Sequence, residues 1–124
     1  MNQAKTIAVT NQKGGIGKIS TAVNLASAPG ILEYRVFLID IDPQANASPG
    51  LGIIPLEQQK SAARLFNPDT NGLHQVTQTH SPNLDIIPGS IQLVHLEINH
   101  ETSSVHRLDK ALKPVKSVYD TDYY

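Results

Sequence analysis

The sequence predicts an α/β protein with a parallel sheet and flanking helices. Apolar runs rich in β-branched residues at 5–10, 35–40 and 83–88 predict three strands. Segments of helical character lie between and after them, and this alternation is typical of a parallel sheet covered on both faces. The 124 residues allow one domain at most, so 1–124 is treated as part of a single domain.

The first helix is predicted over residues 21–28, with Val23 and Ala26 on one side. Pro29 follows, and because proline lacks the N–H that a helix interior needs, this helix should stop near Ser27 or Ala28, or kink there. A second helix is predicted over 56–66, after a loop at 42–52 that is dense in turn residues.

The last predicted helix is long and amphipathic. Ser90 is its expected N-cap, apolar residues recur from Ile91 to Leu112, and Pro114 is expected to end it. These recurring apolar residues form a stripe along one face of the helix, which predicts that this face packs against the core. The tyrosines that follow, Tyr119, Tyr123 and Tyr124, suggest a frayed terminus rather than a stacking platform.

Composition excludes several classes of protein. The chain is 40% hydrophobic and 17% charged, which disfavours wholesale disorder, and its net charge of −1 gives no global footprint for nucleic acid. With no cysteine, it has neither disulfides nor thiolate metal sites. No apolar run approaches the roughly 18 residues of a membrane span, so a cytoplasmic protein is expected.

Residues 11–20, between the first strand and the first helix, predict a phosphate-binding loop. Gly14, Gly15 and Gly17 let the backbone approach a polyphosphate with its N–H groups directed inward. The helix N-terminus adds partial positive charge, and Lys18 adds a full charge for the outer phosphates.

The loop departs from the general pattern G-x-x-x-x-G-K-[ST] at two positions, Gln12 and Ile19. Ile19 stands where a hydroxyl would coordinate Mg²⁺, and it offers no oxygen. Ser20 does not substitute for that hydroxyl, because the next residue of a helix points about 100° away.

Asp40 and Asp42 follow the second predicted strand. Loops at the carboxyl ends of parallel strands are where α/β proteins place ligand chemistry, and a carboxylate there can orient a water that attacks phosphate. The alternative is that these two acids only cap a turn.

Together, these motifs resemble the N-terminal part of a ParA/Soj-type chromosome or plasmid partitioning ATPase, a family with a deviant phosphate loop. The resemblance rests mainly on residues 5–18 and 38–47, with support from 50–52, 83–90 and 107–112. It implies a P-loop NTPase-like sheet that is incomplete here, with the C-terminal half absent.

The resemblance also implies roles for individual residues. Lys18 would bind the outer phosphates of ATP, and Lys13 would reach across a dimer to the partner's ATP. Asp42 would position the attacking water, and Asp40 would stand beside Mg²⁺. The implied nucleotide-binding residues are Lys13, Gly14, Gly15, Ile16, Gly17, Lys18, Ile19 and Ser20.

The implied partners are ATP, a second copy or a full-length relative, and a ParB-like protein; non-specific DNA binding would need the missing part, and no membrane is implied. A second metal-site strand is expected after 115–120 and is not in the sequence. Together with Ile19, this leaves two hypotheses open: a partitioning ATPase with impaired Mg-ATP hydrolysis, or a non-catalytic fragment that keeps the phosphate loop. A module that pairs with a full-length relative is a third.

Overall fold

The computed structural model describes residues 4–9, 18–42, 44, 47–53, 60–67, 71–93 and 103–124. Three α-helices are assigned there: α1 (Lys18–Ile31), α2 (Ala47–Gly50) and α3 (Ser103–Val118). The strands are β1 (Val36–Ile39), β2 (Thr77–Gln78) and β3 (Leu84–Ile87), and short 3-10 helices lie at Ala62–Phe66, Gly72–Gln75 and Ile91–Leu93.

The three strands form one sheet in the order β1-β3-β2. β1 and β3 are parallel, with Val36 opposite Leu84 and Ile39 opposite Ile87. β2 is antiparallel to β3. The α/β class, the strands at 35–40 and 83–88 and their parallel pairing are therefore confirmed. The sheet is small and mixed, because the polar stretch around Thr77 also pairs with β3.

The first predicted strand is not a regular strand in the described segment 4–9. Only Lys5 forms a β-bridge, and its partner is Tyr123, which also bridges Val36; both bridges are parallel. The last residues of the chain therefore lie between the first segment and β1. The expectation of a frayed C-terminus was wrong, because backbone pairing on both sides holds Tyr123.

Helix α1 continues through Pro29 to Ile31, so the predicted stop near Ser27 or Ala28 was wrong. Pro29 lies in the last turn, where its missing N–H removes only one helical hydrogen bond. The turn is closed instead by bonds to the Pro29 carbonyl from the N–H groups of Leu32 and Tyr34, both at 3.0 Å. Val23 and Ala26 face the core as predicted.

Helix α3 likewise continues through Pro114, the residue expected to end it. The Tyr119 N–H donates to the Val115 carbonyl at 3.0 Å, so helical bonding resumes beyond the proline. Val115 is fully buried, and its packing outweighs the local cost of the proline. Ser90 accepts from the Gln92 N–H at 3.1 Å and caps the short 3-10 helix there, while residues 94–102 lie outside the described part.

Two other predicted elements changed form. The loop at 42–52 contains the four-residue helix α2. Of the helix predicted over 56–66, residues 56–59 lie outside the described part. Lys60 and Ser61 are in no helix, and Ala62–Phe66 form a 3-10 helix with Ala62 and Leu65 fully buried.

The sheet separates two apolar clusters. On the α3 side, Phe37 packs with buried residues of α3 and of the 3-10 helices. On the α1 side, Val36, Leu84 and Ile86 pack with Ala26. Among the described helices, not one combines the length and the apolar character needed to cross a bilayer.

Candidate functional site at the end of strand β1

Asp40 is the first residue after β1, and its side chain is buried with 6% of its surface exposed. Its N–H donates to the Ile87 carbonyl at 3.1 Å, so the β1–β3 pairing extends one residue past the assigned strand. Its Oδ1 accepts from the N–H of Asp42 at 3.0 Å. A carboxylate is thus held at the carboxyl end of a parallel strand pair, as the sequence predicts.

Asp42 repeats the same turn geometry two residues later. Its Oδ1 accepts from the Gln44 N–H at 3.0 Å, and the residue is half-buried. Two successive side chain–backbone bonds of this kind form Asx turns that fix the loop locally. The structure therefore links Asp40 and Asp42 in consecutive turns, and the bonds described here are those of the turn-capping alternative.

Helix α1 begins at Lys18, within the predicted phosphate loop 11–20, and packs against β1, β3 and α2. The first turn of a helix has N–H groups without intrahelical partners and carries the positive end of the helix dipole. Ser20 is exposed in that turn. The predicted loop residues Lys13, Gly14, Gly15, Ile16 and Gly17 lie outside the described residues, as do the side chains of Lys18 and Ile19.

The C-terminal tyrosines take part in this region of the sheet, which the sequence did not indicate. The Tyr124 ring lies 6.1 Å from that of Phe37, and the Tyr119 ring lies edge-on to Phe37 at 5.6 Å. Tyr123 contacts Tyr34 edge-on at 5.6 Å on the other face. In sequence, only side chains alternating between two faces could have suggested a strand at the C-terminus. The segment is three residues long, which is too short for that pattern to be distinctive.

The pKa of one further carboxyl group, that of Asp85, is shifted. Burial raises the pKa of Asp85 above its usual 3.8, and the positive charge of Arg35 opposes that rise. Asp85 is on β3, opposite Phe37 in the register, and is half-buried. Within the described part, no three His, Cys, Asp or Glu side chains are grouped as a metal site would require.

Comparison with known proteins identifies the class to which this fold and loop belong. Residues 4–122 match the family model AAA_31, described as an AAA domain. The chain is 42% identical over 118 residues to the sporulation initiation inhibitor protein Soj of Bacillus subtilis, covering 94% of this chain and 47% of that protein. It is 35% identical to the chromosome partitioning protein ParA of Caulobacter vibrioides, again over 118 residues, with 94% and 44% covered.

A solved structure agrees with the fold. Cobyrinic acid a,c-diamide synthase from Mycobacterium smegmatis, with bound ADP and magnesium, superposes with a TM-score of 0.82 at 26% identity, covering 98% of this chain and 49% of that one. This fold is that of the P-loop α/β proteins. The chain belongs to the AAA_31 family, and its resemblance to the ParA/Soj partitioning ATPases is confirmed. It spans about half the length of the curated relatives it matches.

Proposed function

We propose that the chain is a ParA-type nucleotide-binding module of DNA segregation that binds ATP at residues 13–20 and hydrolyses it slowly. The observation that carries the proposal is the buried carboxylate of Asp40 at the end of β1, a strand that packs against the helix beginning at Lys18. A helix N-terminus preceded by a glycine-rich loop favours phosphate, and the strand end supplies acids.

Each predicted residue has a chemical task in this proposal. The backbone of Gly14, Gly15, Ile16 and Gly17 surrounds the phosphates, and Lys18 neutralises the outer ones. Asp42 orients the attacking water, since positioning dominates phosphoryl transfer. Its half-buried side chain, held by the Gln44 N–H, is ordered but still accessible to a water.

The donors for magnesium are only partly suitable. Carboxylate oxygens such as those of Asp40 and Asp42 are the ligands that Mg²⁺ prefers, but the ion takes six oxygens in near-octahedral geometry. Ile19 contributes none, so water and phosphate oxygens would have to complete the shell. Bound Mg²⁺ would neutralise phosphate charge during transfer. We therefore propose weak magnesium binding and impaired hydrolysis.

The proposed partners follow the relatives. Caulobacter ParA is a chromosome partitioning protein, and the same role is proposed here in the cytoplasm, with plasmid DNA as the alternative cargo. Lys13 would contact the nucleotide of a second copy or a full-length relative, and a ParB-like protein would be the regulatory partner. No DNA-binding surface is assigned to these 124 residues, whose net charge is −1.

Titration with ATP tests the proposal, with and without magnesium, on wild type, Lys18→Ala and Ile19→Thr. Lys18→Ala should weaken binding roughly 10- to 100-fold, as expected for a charge-assisted contact. Lys113→Ala is the matched control: it removes the same charge from an exposed position on α3, where 71% of the side chain is accessible, and should leave affinity unchanged.

Ile19→Thr restores the hydroxyl and should raise the magnesium dependence of binding and the turnover. No ATP binding by wild type at millimolar concentration would support the non-catalytic alternative instead. Binding that Lys18→Ala leaves intact would contradict the phosphate-loop assignment.

A further inference from the structure

Helix α1 connects the predicted phosphate loop to the start of strand β1. Its first residue, Lys18, belongs to the loop, and its last, Ile31, comes shortly before β1. At 1.5 Å per residue, the 14 residues of the helix span about 20 Å. The placement of α1 on the sheet therefore decides where its N-terminus stands relative to Asp40, the acid that follows β1.

Asn83 holds the C-terminal end of α1. Its side-chain Nδ2 donates to the Gly30 carbonyl at 3.0 Å, and this bond is partly buried. The same carbonyl accepts from the Glu33 N–H at 3.1 Å, in the turn that follows the helix. The Asn83 carbonyl in turn accepts from the Val36 N–H at 2.9 Å. One residue is thus bonded both to the end of α1 and to the start of β1.

The backbones of the helix and of the turn before β3 meet directly at this point. Gly30 is buried, and a Cβ on it would collide with the Pro82 carbonyl oxygen. Asn83 has a φ of 55°, in the left-handed region that asparagine adopts more readily than most residues with a side chain. Both residue types are therefore suited to the close approach that the bond requires.

The rest of this face of α1 is formed by small side chains. Ala22, Ala26 and Gly30 are four residues apart and so lie on one side of the helix. Ala26 is buried against Leu84 and its neighbours in the cluster on the α1 side. Apolar attraction is non-directional, and methyl groups interlock little with a sheet. The hydrogen bond from Asn83 is directional, so it can fix where along the sheet the helix lies.

We propose that Asn83 is a positioning residue for the phosphate site at residues 13–20. By holding the Gly30 carbonyl, it sets the placement of α1 and hence the position of the first helical turn relative to Asp40. The role acts through α1 and rests on the nucleotide binding proposed above. A displacement of about 1 Å, caused far from a site, can reduce its function up to about 100-fold.

Two substitutions of Asn83 remove the bond in different ways. Glycine accepts the left-handed conformation without strain, so Asn83→Gly removes the side-chain donor alone from the folded chain. Asn83→Asp keeps the shape, but an ionised carboxylate has no donor for the Gly30 carbonyl. Both variants should bind ATP about tenfold more weakly than wild type, in titrations at a temperature where each is fully folded.

Two controls separate positioning from stability. Glu33→Gly changes a second left-handed residue, in the turn after α1, and keeps Asn83 with its bond. Leu73→Ala removes apolar contacts from the cluster on the α3 side of the sheet, so it lowers stability on the face opposite α1. Both controls should bind ATP as wild type does, and the free energy of unfolding is measured for all four variants.

The placement of α1 can also be measured by NMR without nucleotide. Residual dipolar couplings of the ¹⁵N-labelled chain give the direction of the α1 axis relative to β1 and β3. Nuclear Overhauser effects from the Ala26 methyl group to Leu84 and Ile86, which belong to the same cluster, report the position of the helix along that axis. Both readouts should change in the Asn83 variants and stay as in wild type in the controls.

Three results would overturn the proposal. Wild-type affinity in both Asn83 variants would contradict the positioning role and leave the proposed function intact. An equal loss of affinity in Leu73→Ala would assign the effect to general stability. Unchanged couplings and Overhauser effects in the Asn83 variants would show that α1 keeps its place without the bond. Absence of ATP binding by wild type would instead contradict the proposed function itself, on which this role rests.

Discussion

The N–H of Asp42 donates to Oδ1 of Asp40, with 3.0 Å between nitrogen and oxygen. This bond joins the two acids that the sequence singles out, and it makes a buried carboxylate a structural acceptor as well as a candidate ligand of a metal. The two roles can be separated, because a side-chain amide keeps the acceptor and loses the charge.

Asp40→Asn should therefore cost less stability than Asp40→Ala. Alanine removes the acceptor and leaves a polar gap, at about 1–2 kcal/mol more than asparagine. Urea unfolding of both variants measures the difference. If both variants have the same stability, the bond to Asp42 contributes nothing. If Asp40→Asn keeps its stability but loses nucleotide binding, the charge of Asp40 acts at the site.

Glu33→Gly should stabilise the chain by about 0.5–1 kcal/mol. Glu33 follows α1 with a φ of 71°, a left-handed conformation that is strained for any residue with a Cβ but not for glycine. Glu33→Ala is the control, because it removes the negative charge near the helix C-terminus and keeps the strain. Thermal unfolding of the two variants measures the backbone effect, and equal midpoints would contradict it.

Gly30→Ala should destabilise the chain by about 2 kcal/mol or more, as overpacking against rigid atoms does. Gly30 is buried, and a Cβ there would collide with the Pro82 carbonyl oxygen, a backbone atom with little freedom to move. Gly50→Ala is the matched control, since among the described residues its Cβ would meet the Val23 side chain, at an ordinary contact distance of 3.4 Å. Similar urea midpoints for the two variants would show that the contact between α1 and the turn before β3 adjusts at little cost.

The stability of Asp85→Asn relative to wild type should increase as pH rises. The folded-state pKa of Asp85 is raised above 3.8 by burial, so the folded chain binds the proton more tightly than the unfolded chain. Stability from this group therefore falls as pH rises from about 3.8 through the raised pKa, and the amide removes that loss. The free energies of unfolding of variant and wild type should be measured at pH 3 and pH 7. The difference between them should favour the variant more at pH 7 than at pH 3.

Asp109→Asn is the control for that pH series. It removes the same charge from an exposed side chain, 62% accessible, that lies 3.8 Å from Lys113. The surface pair contributes little, so this variant should not gain stability at pH 7. An equal gain in both variants would mean that net charge, rather than burial of Asp85, sets the pH dependence.

Strand β1 and the acid after it could be predicted from sequence because they are local. An unbroken apolar run and an aspartate before a turn-rich loop are adjacent in the chain, and the structure departs from the prediction by one residue at each end. The helix ends could not be predicted in this way. Pro29 and Pro114 carry a strong local signal to stop. Pro29, however, lies in the last turn of α1, where it removes only one helical hydrogen bond, and Val115 beside Pro114 is buried in the core.

The sequence by itself determined the family, the phosphate-loop motif and the position of Asp40 and Asp42, because each depends on residue types at short spacing. Only the tertiary structure decided that the sheet is mixed and that Tyr123 lies between Lys5 and Val36. That pairing joins residues more than 80 positions apart through backbone hydrogen bonds, which are common to all residue types and leave no pattern in three residues of sequence.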